Sequence, residues 1–478
     1  MNGASGPPPA LEPPIIEAPQ PIPLPPIRPL RFQRADWWAF CITAACALTV
    51  YVFTLAPEVT LEWSGMRSTA AWYGGVADPP GFPLWTLYAW AFSHLFPFGN
   101  IAWRLALSSA VAGAFACGAL AMLVSSGGGR ILDGMTGVQR LPEKQEAWLR
   151  IAGGFVAGMA LGLHRVFWSM SVIVETQSLS LALFSLVICL LLRWAYSPDN
   201  EGLLYAAVFV YALELNVHQN LAIAAPGLIL IVLIRNPGLG RDLCFVVFVV
   251  VGCFATILLT GLSQIVPAQF DGLTMSFLVI AMMAGFISMT TAVITRKFMT
   301  HWRAVSISGL LLLAGFYLYF YLAVASMADP PSNWGYARTV QGFVHLVSRG
   351  QYEGIHPTDN IERFVGQIGV YWRSIGRDLG FIFLIPAVAL FCFLRKMGAP
   401  QRAWILGLVP LFLCLSLWLI IMQNGSPDRA SAELTARYYT PSHVIILLWA
   451  GYGLCILGSF LIGKWLPRIL PRGQVLLG

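Results

Sequence analysis

Charged side chains are scarce in this sequence: Asp, Glu, Lys and Arg make up only 11% of the 478 residues, against about a quarter in an ordinary soluble domain. A soluble globular class is therefore excluded. The apolar residues, 57% of the chain, stand in long runs, each close to the ~20 residues that cross ~30 Å of hydrocarbon. Because these runs are continuous rather than alternating, a transmembrane β-barrel is excluded as well. The sequence predicts an all-α, polytopic integral membrane protein.

Paired cysteines and a nucleic-acid-binding charge pattern are also lacking. Most of the nine cysteines lie inside apolar runs, and their spacing suggests neither a disulfide framework nor a metal centre. The formal net charge of +7 comes from Lys and Arg residues that stand between the apolar runs, where they orient a membrane protein. Nucleic acid is therefore not an expected partner.

The chain divides into an arm, a membrane domain and a tail. Residues 1–35 are rich in proline and have no periodic apolar face, which predicts a disordered cytoplasmic arm. Residues 36–466 form the transmembrane domain, with outer loops at 57–100 and 328–378, and residues 467–478 form a short cytoplasmic tail. About twelve transmembrane helices are expected, at 37–56, 101–125, 150–167, 178–196, 202–217, 220–235, 242–266, 273–295, 304–327, 379–395, 403–422 and 441–464.

The segment 83–98 decides the orientation of the bundle. It is short, framed by proline and polar at Ser93 and His94, so we expect an interfacial or re-entrant helix rather than a span. The loops rich in Lys and Arg then fall on the cytoplasmic side, together with both termini, as the positive-inside rule requires. If the segment crossed the bilayer, the basic loops after it would lie outside, against that rule.

Unusual polar side chains then fall on the non-cytoplasmic face. Ionisable groups near a bilayer are costly and survive mostly where they line a functional cavity. Each has an ordinary alternative: Glu175 and His218 as helix caps, the arginines as loop cations, and the tryptophans as an aromatic belt. Because carboxylates, arginines and aromatics converge on one face, a reaction site is favoured. The candidates are Glu62, Asp78, Glu175, His218, Trp334, Arg338, Arg437 and Tyr438.

Carboxylates and arginines beside a bilayer suggest transfer of a sugar from a lipid-linked phosphate. The accepting hydroxyl needs a carboxylate to remove its proton. The departing phosphate needs cations to stabilise its charge. Arginine suits this role because its planar fork matches two phosphate oxygens at once.

Several motifs follow one another along the chain: TLAPEVTLEWSG, GGVADPPGFPLW, LFPFGNIAWRLALSSA, FWSMSVIVETQSLSLALF, ELNVHQNLAIAAPGL, NWGYARTVQGFVHLVSRGQYEG and ARYYTPSHVIILLWAGYG. In sequence and order they resemble a branch of the GT-C-type membrane glycosyltransferases. That branch includes a eukaryotic protein O-mannosyltransferase and uncharacterised bacterial proteins. The resemblance covers nearly the whole chain after the proline-rich arm, and it implies a GT-C-like helical fold.

The first-loop motif departs from the pattern of that family, Trp-Asp-Ser-Gly-Glu, whose Asp is the expected catalytic carboxylate. In this chain Trp63 occupies the Asp position, Glu62 precedes it, and Asp78 replaces a His before Pro-Pro-Gly. Either Glu62 turns into the site by a shift of one residue, or Asp78 supplies the carboxylate from across the loop. Glu62 is preferred because it lies beside the Ser-Gly pair that keeps the family turn.

The predicted function is transfer of a monosaccharide from a polyprenyl-phosphate carrier to a protein or cell-surface glycan, in the bacterial inner membrane. Glu62 or Asp78 would be the base, and Arg437 and Arg338 would contact phosphate. The remaining pocket residues would be Glu175, His218, Trp334 and Tyr438. Inverting or retaining stereochemistry stays open, and so does a divalent metal, for which no spacing fixes a site.

Two rival functions come from other classes. A transporter or flippase of lipid-linked substrates would show inverted repeats and charges near the bilayer midplane, whereas the polar groups here stand at the ends of spans. A catalytically inactive relative that acts as a binding partner is the second rival. The replacement of the family Asp favours it.

Overall fold

The computed structural model describes residues 31–61, 63–136, 140–260, 273–352 and 356–465, and in this part of the chain every regular element is a helix. The predicted all-α class is therefore confirmed. Residues 1–30 of the arm and the tail 467–478 lie outside the described residues. The α-helices are, in chain order, α1 (Arg34–Phe53), α2 (Ser64–Tyr73), α3 (Pro83–Leu95), α4 (Ile101–Asp133), α5 (Glu143–Gly162), α6 (Arg165–Ser171), α7 (Gln177–Tyr196), α8 (Glu201–Leu215), α9 (Ala225–Arg235), α10 (Pro237–Thr260), α11 (Thr274–Thr295), α12 (Trp302–Phe316), α13 (Phe320–Met327), α14 (Val340–Val347), α15 (Ile361–Ser374), α16 (Leu384–Cys392), α17 (Ala399–Leu413), α18 (Leu419–Gln423) and α19 (Arg429–Phe460).

Eight helical segments of the described chain are long and apolar enough to cross a membrane, and two bent pairs raise the number to ten. The predicted polytopic membrane class is thereby confirmed. The bent pairs are α5 with α6, at 72°, and Ile361–Leu379 with Phe381–Cys392, at 96°. The predicted spans at 202–217 and 220–235 correspond to α8 and to a shorter apolar helix, Gln219–Arg235. The number of about twelve stays a prediction.

The centre of the bundle is α4, a 33-residue helix that packs against α1, α5, α7 and α19. Its sequence is rich in Ala, Gly and Ser, which allows neighbouring backbones to approach closely. Gly158 of α5 shows how close: a Cβ at this position would lie 2.6 Å from the carbonyl oxygen of Cys117 in α4. Because α4 also contacts α2 and α3, this tightly packed helix supports the first outer loop.

The two loops that the sequence predicts to lie outside, 57–100 and 328–378, are joined by a short bridge of hydrogen bonds. The Val76 N–H donates to the Ser332 carbonyl at 2.8 Å, and the Ser332 hydroxyl donates to the Val76 carbonyl at 3.0 Å. The predicted interfacial segment 83–98 contains α3, whose 13 residues cover about 20 Å. That length is short of the ~30 Å of hydrocarbon.

Two basic residues at the edges of the predicted spans 150–167 and 242–266 are buried in ion pairs. Arg150 of α5 donates to Asp36 of α1 at 2.5 Å and to the Ser125 carbonyl of α4 at 2.8 Å. Arg241 pairs with Asp242 at 2.6 Å, and both side chains are almost fully buried. Because removing one partner of a buried pair leaves an uncompensated charge, loss of any one of these side chains is expected to destabilise the bundle.

Candidate active site

Arg67 of α2 joins two buried carboxylates that come from distant parts of the chain. Its Nε and Nη2 donate to the two oxygens of Asp78 at 2.9 and 3.0 Å, and its Nη1 donates to Glu175 Oε1. The residues Arg67, Asp78 and Glu175 are 5%, 3% and 6% exposed. Burial of these charges is tolerable only because they are paired. The first outer loop and the turn after α6 therefore meet at Arg67.

The position of Arg67 follows from the face that α2 buries. Ser64, Arg67 and Ala71 recur at helical spacing and are all buried, so they share one side of the helix. Gly74 then ends α2 in the left-handed conformation, with φ of 61°. The ring of Phe82 lies 5.3 Å from the guanidinium carbon, which is cation–π distance. The sequence did not lead us to assign a role to Arg67. The available signal for its burial was its place on a helical face rich in Ser and Ala.

Asp78 is held by the turn that leads into α3. The Gly81 N–H donates to the Asp78 carbonyl at 2.8 Å. Gly81 has φ of 95°, and a Cβ there would lie 2.7 Å from Leu322 Cδ1, so this turn requires glycine. Pro83 then occupies the first turn of α3, where a missing N–H costs nothing. Because both of its oxygens accept from Arg67, Asp78 is placed to fix the guanidinium.

Glu175 lies in the turn between α6 and α7 and is anchored to α4. Its backbone N–H and carbonyl both bond to Ser109 Oγ, at 3.3 and 3.1 Å. Its Oε1 accepts from the N–H and hydroxyl of Thr176 at 2.9 and 3.2 Å, in addition to Arg67. Burial alone would raise the pKa of Glu175, but Arg67, the Thr176 amide and Arg437 hold that pKa below its ordinary value. Glu175 is therefore a carboxylate at neutral pH.

His218 lies in the turn after α8, within electrostatic range of Glu175. Its backbone N–H donates to the Glu214 carbonyl at 2.9 Å. Its ring meets the Tyr438 ring edge-on, with centroids 5.7 Å apart. Burial and the nearby charge of Arg349 lower the pKa of His218 to about 4. At neutral pH its imidazole is neutral, so one ring nitrogen donates and the other accepts.

Helix α19 brings Arg437 and Tyr438 to the same cluster. The Arg437 carbonyl accepts a hydrogen bond from Gln177 Nε2 at 3.2 Å, and the Arg437 charge acts on both Glu175 and His218. A narrow cleft opens beside these side chains. Its walls are Gln177, His218, Asn220, Leu221, Ile223, Leu415, Leu419, Tyr438 and Pro441.

Trp334 and Arg338 make their contacts in the outer loops. The Trp334 ring lies 6.4 Å from the Trp63 ring, edge-on. Trp334 also lines a cavity of about 260 Å³ against Met66 and Thr69 of α2. Arg338 pairs with Asp329 at 3.2 Å and is 40% exposed, so this ion pair contributes little to stability. The proposed contacts of Trp334 and Arg338 with substrate stay predictions.

Glu62, the preferred first-loop base, lies outside the described residues, immediately before Trp63 and the start of α2. Its role therefore stays a prediction. Within the ranges that the structure describes, no group of three or more His, Cys, Asp or Glu side chains is arranged to hold a metal ion. We derive no reaction step through a metal.

Acidification is expected to lower the thermal stability of the protein between pH 6.5 and pH 4. In this window the unfolded chain binds a proton at His218 that the folded protein, with its pKa of about 4, does not bind. The free energy of unfolding therefore decreases as the pH is lowered, by up to about 1.4 kcal/mol per pH unit for this group. His218→Gln should reduce the dependence of the melting temperature on pH, and His345→Gln, at an exposed position, is the matched control. Equal pH profiles for His218→Gln and the unmodified protein would contradict this account.

The part of the chain that contains most of these residues is similar to a known protein family. Residues 64–239 match the family model of the Protein O-mannosyl-transferase TMEM260 N-terminal domain. The matched region runs from the first residue of α2 to the beginning of α10, and it contains Arg67, Asp78, Glu175 and His218. The predicted resemblance to an O-mannosyltransferase-like family is confirmed by this match.

Two individual proteins carry the same name. The Protein O-mannosyl-transferase TMEM260 of Mus musculus is 32% identical over 150 residues, which cover 31% of this chain and 18% of the mouse protein. The Protein O-mannosyl-transferase tmem260 of Dictyostelium discoideum is 35% identical over 69 residues, which cover 14% of this chain and 8% of that protein. The matched segments thus span less than a fifth of the length of either relative.

Proposed function

We propose that this protein is a membrane glycosyltransferase that moves a monosaccharide from a polyprenyl-phosphate carrier to a protein or cell-surface glycan. The observation that carries the proposal is the Arg67-bridged pair of carboxylates, Asp78 and Glu175. This pair lies inside the region that resembles the N-terminal domain of protein O-mannosyltransferases. The name of those relatives supports a protein hydroxyl as the acceptor.

The bonding pattern divides the roles among the acidic residues. Both Asp78 oxygens accept from Arg67, whereas the side-chain contacts of Glu175 with Arg67 and Thr176 use Oε1. Glu175 is therefore the proposed proton acceptor among the described residues, and Asp78 is a positioning residue. Glu62 stays the first-loop alternative. In each case the carboxylate takes the proton of the acceptor hydroxyl as that oxygen attacks the anomeric carbon.

Arg437 is the proposed partner of the departing phosphate. It is half-buried at the N-terminal part of α19, and its charge reaches Glu175. A guanidinium in this position would stabilise the negative charge that develops as the sugar–phosphate bond breaks. Tyr438 and His218, which line the cleft beside it, would contact the sugar or the acceptor. Placement of this face outside the cytoplasm rests on the distribution of Lys and Arg, and the bacterial inner membrane stays a prediction.

Transfer by the purified protein in lipid nanodiscs tests the proposal. The protein is incubated with radiolabelled polyprenyl-phosphate sugars and a protein or membrane acceptor fraction, and label in the acceptor is counted. We expect transfer by the unmodified chain and its loss both in Glu175→Gln and in the double variant Glu62→Gln, Asp78→Asn. Movement of labelled lipid across liposomes without any transfer would instead support a flippase. Lack of both activities would favour an inactive relative and overturn the proposal.

A further inference from the structure

Helix α15 presents three different faces. Ile361, Val365 and Trp372 recur at helical spacing and are 80%, 61% and 54% exposed, which makes a continuous apolar stripe. Glu362 and Arg373 form an exposed polar face next to it. The third face packs against the protein, and its buried residues are Gln367, Val370, Tyr371 and Ser374.

The orientation of α15 relative to the bilayer can be inferred from the apolar segment that follows it. The segment Ile361–Leu379 stands at 96° to the apolar segment Phe381–Cys392. Ile382, Ile385 and Val388 of that second segment are also largely exposed, as lipid-facing residues of a membrane helix are. Where the second segment enters the bilayer along its normal, the angle of 96° places α15 in the plane of the bilayer. Its apolar stripe then continues the lipid-facing surface at the level of the headgroups.

We propose that α15 is seated in the bilayer surface, with its apolar stripe in the boundary between headgroups and acyl chains and its polar face in water. A helix with one apolar and one charged face, carrying a tryptophan, has the composition of such interfacial helices. The occupant of the stripe is lipid rather than protein, because the stripe is continuous with the exposed apolar residues of α16. Arg373 and Arg377 are both exposed near the C-terminal end of α15. Arg373, which follows Trp372, would meet lipid phosphates, whereas Arg377 also pairs with Asp378 at 3.0 Å.

A helix α15 bound in the bilayer surface would also fix the depth of α19 in the membrane. Tyr371 shares a hydrogen bond of 2.9 Å with Ser442 of α19, and its ring lies 5.8 Å from the His443 ring. Gln367 donates to the Gly425 carbonyl, just before α19, at 2.8 Å. The bilayer surface is thereby connected to the helix that bears Arg437. The inference itself does not depend on the proposed transfer reaction.

An environment-sensitive fluorescent amino acid in place of Val365 tests this inference in the full chain. The labelled protein is placed in nanodiscs whose lipids carry a nitroxide quencher either near the headgroup or at the end of the acyl chain. The matched control carries the same fluorophore in place of Glu362, on the polar face. A second label in place of Ile361 repeats the measurement where Val365 is not tolerated.

We expect blue-shifted emission at residue 365 and about twofold quenching by the shallow nitroxide, since the apolar face of an interfacial helix is buried ~5–10 Å into the boundary. Residue 362 should show water-like emission and little quenching. Water-like emission at residues 365 and 361 would overturn the proposal. Blue-shifted emission without quenching would assign the stripe to a protein partner or a second copy, and strong quenching by the deep nitroxide at both faces would show a buried span. Either of these results also overturns it.

Discussion

Replacing Arg67 with methionine is expected to destabilise the protein by about 3–5 kcal/mol and to abolish transfer. The variant keeps the volume of the side chain but leaves Asp78 and Glu175 buried with no cation between them. Two uncompensated carboxylates in this position must take up protons or draw in water. Both outcomes disrupt the contact between the first loop and the turn after α6. The measurement is the apparent melting temperature in detergent, together with the transfer assay.

Two further variants separate loss of this bridge from loss of any arginine. Arg338→Met removes a half-exposed arginine in a surface pair and should change stability by no more than about 0.5 kcal/mol. Arg67→Met combined with Asp78→Asn leaves one buried charge instead of two, so part of the lost stability should return. If the single variant Arg67→Met has the same melting temperature as the unmodified protein, the bridge does not stabilise this fold.

Replacing Glu175 with glutamine is expected to lower the transfer rate by about 10²–10⁴ while the protein remains folded. The amide keeps the shape of the carboxyl group and still accepts through its oxygen from Thr176 and Arg67. Arg67 also keeps a buried counter-charge, because Asp78 still pairs with it. The loss therefore reports proton transfer rather than unfolding, and it should appear in kcat more than in KM. The measurement is the steady-state rate of transfer over a range of lipid-linked sugar concentrations, which separates kcat from KM.

The single variants of the other carboxylates complete this comparison. Asp78→Asn should reduce both stability and activity, because Asp78 positions the guanidinium of Arg67. Glu62→Gln should reduce activity alone if the first-loop base is Glu62. Transfer by Glu175→Gln within about twofold of the unmodified protein would remove Glu175 as the proton acceptor, since general-base catalysis is worth far more.

Much of this site follows from the sequence because the relevant residues stand at the ends of apolar runs. Asp78, Glu175, His218 and Arg437 were each predicted to lie on one face of the bundle, and the structure brings them into one cluster. Their shared location follows from topology, because ends of antiparallel helices on the same side of a membrane are neighbours. The short length of α3 follows in the same way from its framing prolines.

The role of Arg67 could not be predicted with the same reasoning. An arginine in a loop beside a membrane is ordinarily a solvated cation, and the Ser- and Ala-rich segment around Arg67 does not by itself identify a buried ion pair. What buries Arg67 is its distant partner Glu175, which lies 108 positions further along the chain. The burial of Arg150 and Arg241 could not be predicted from the sequence either. Both stand at the edges of predicted spans, where solvated cations are expected, and both are buried against acidic partners.

The backbone bridge between Val76 and Ser332 makes the two outer loops inseparable for protein engineering. A chimera whose grafted long loop does not bring a backbone carbonyl to the position of residue 332 would leave the N–H of the buried Val76 without its acceptor, and the graft would loosen the turn that presents Asp78. Acceptor preference, if it resides in the long loop, would have to be transplanted together with residues 74–82. Homologous recombination among such proteins should accordingly tolerate exchange of both loops at once better than exchange of either one.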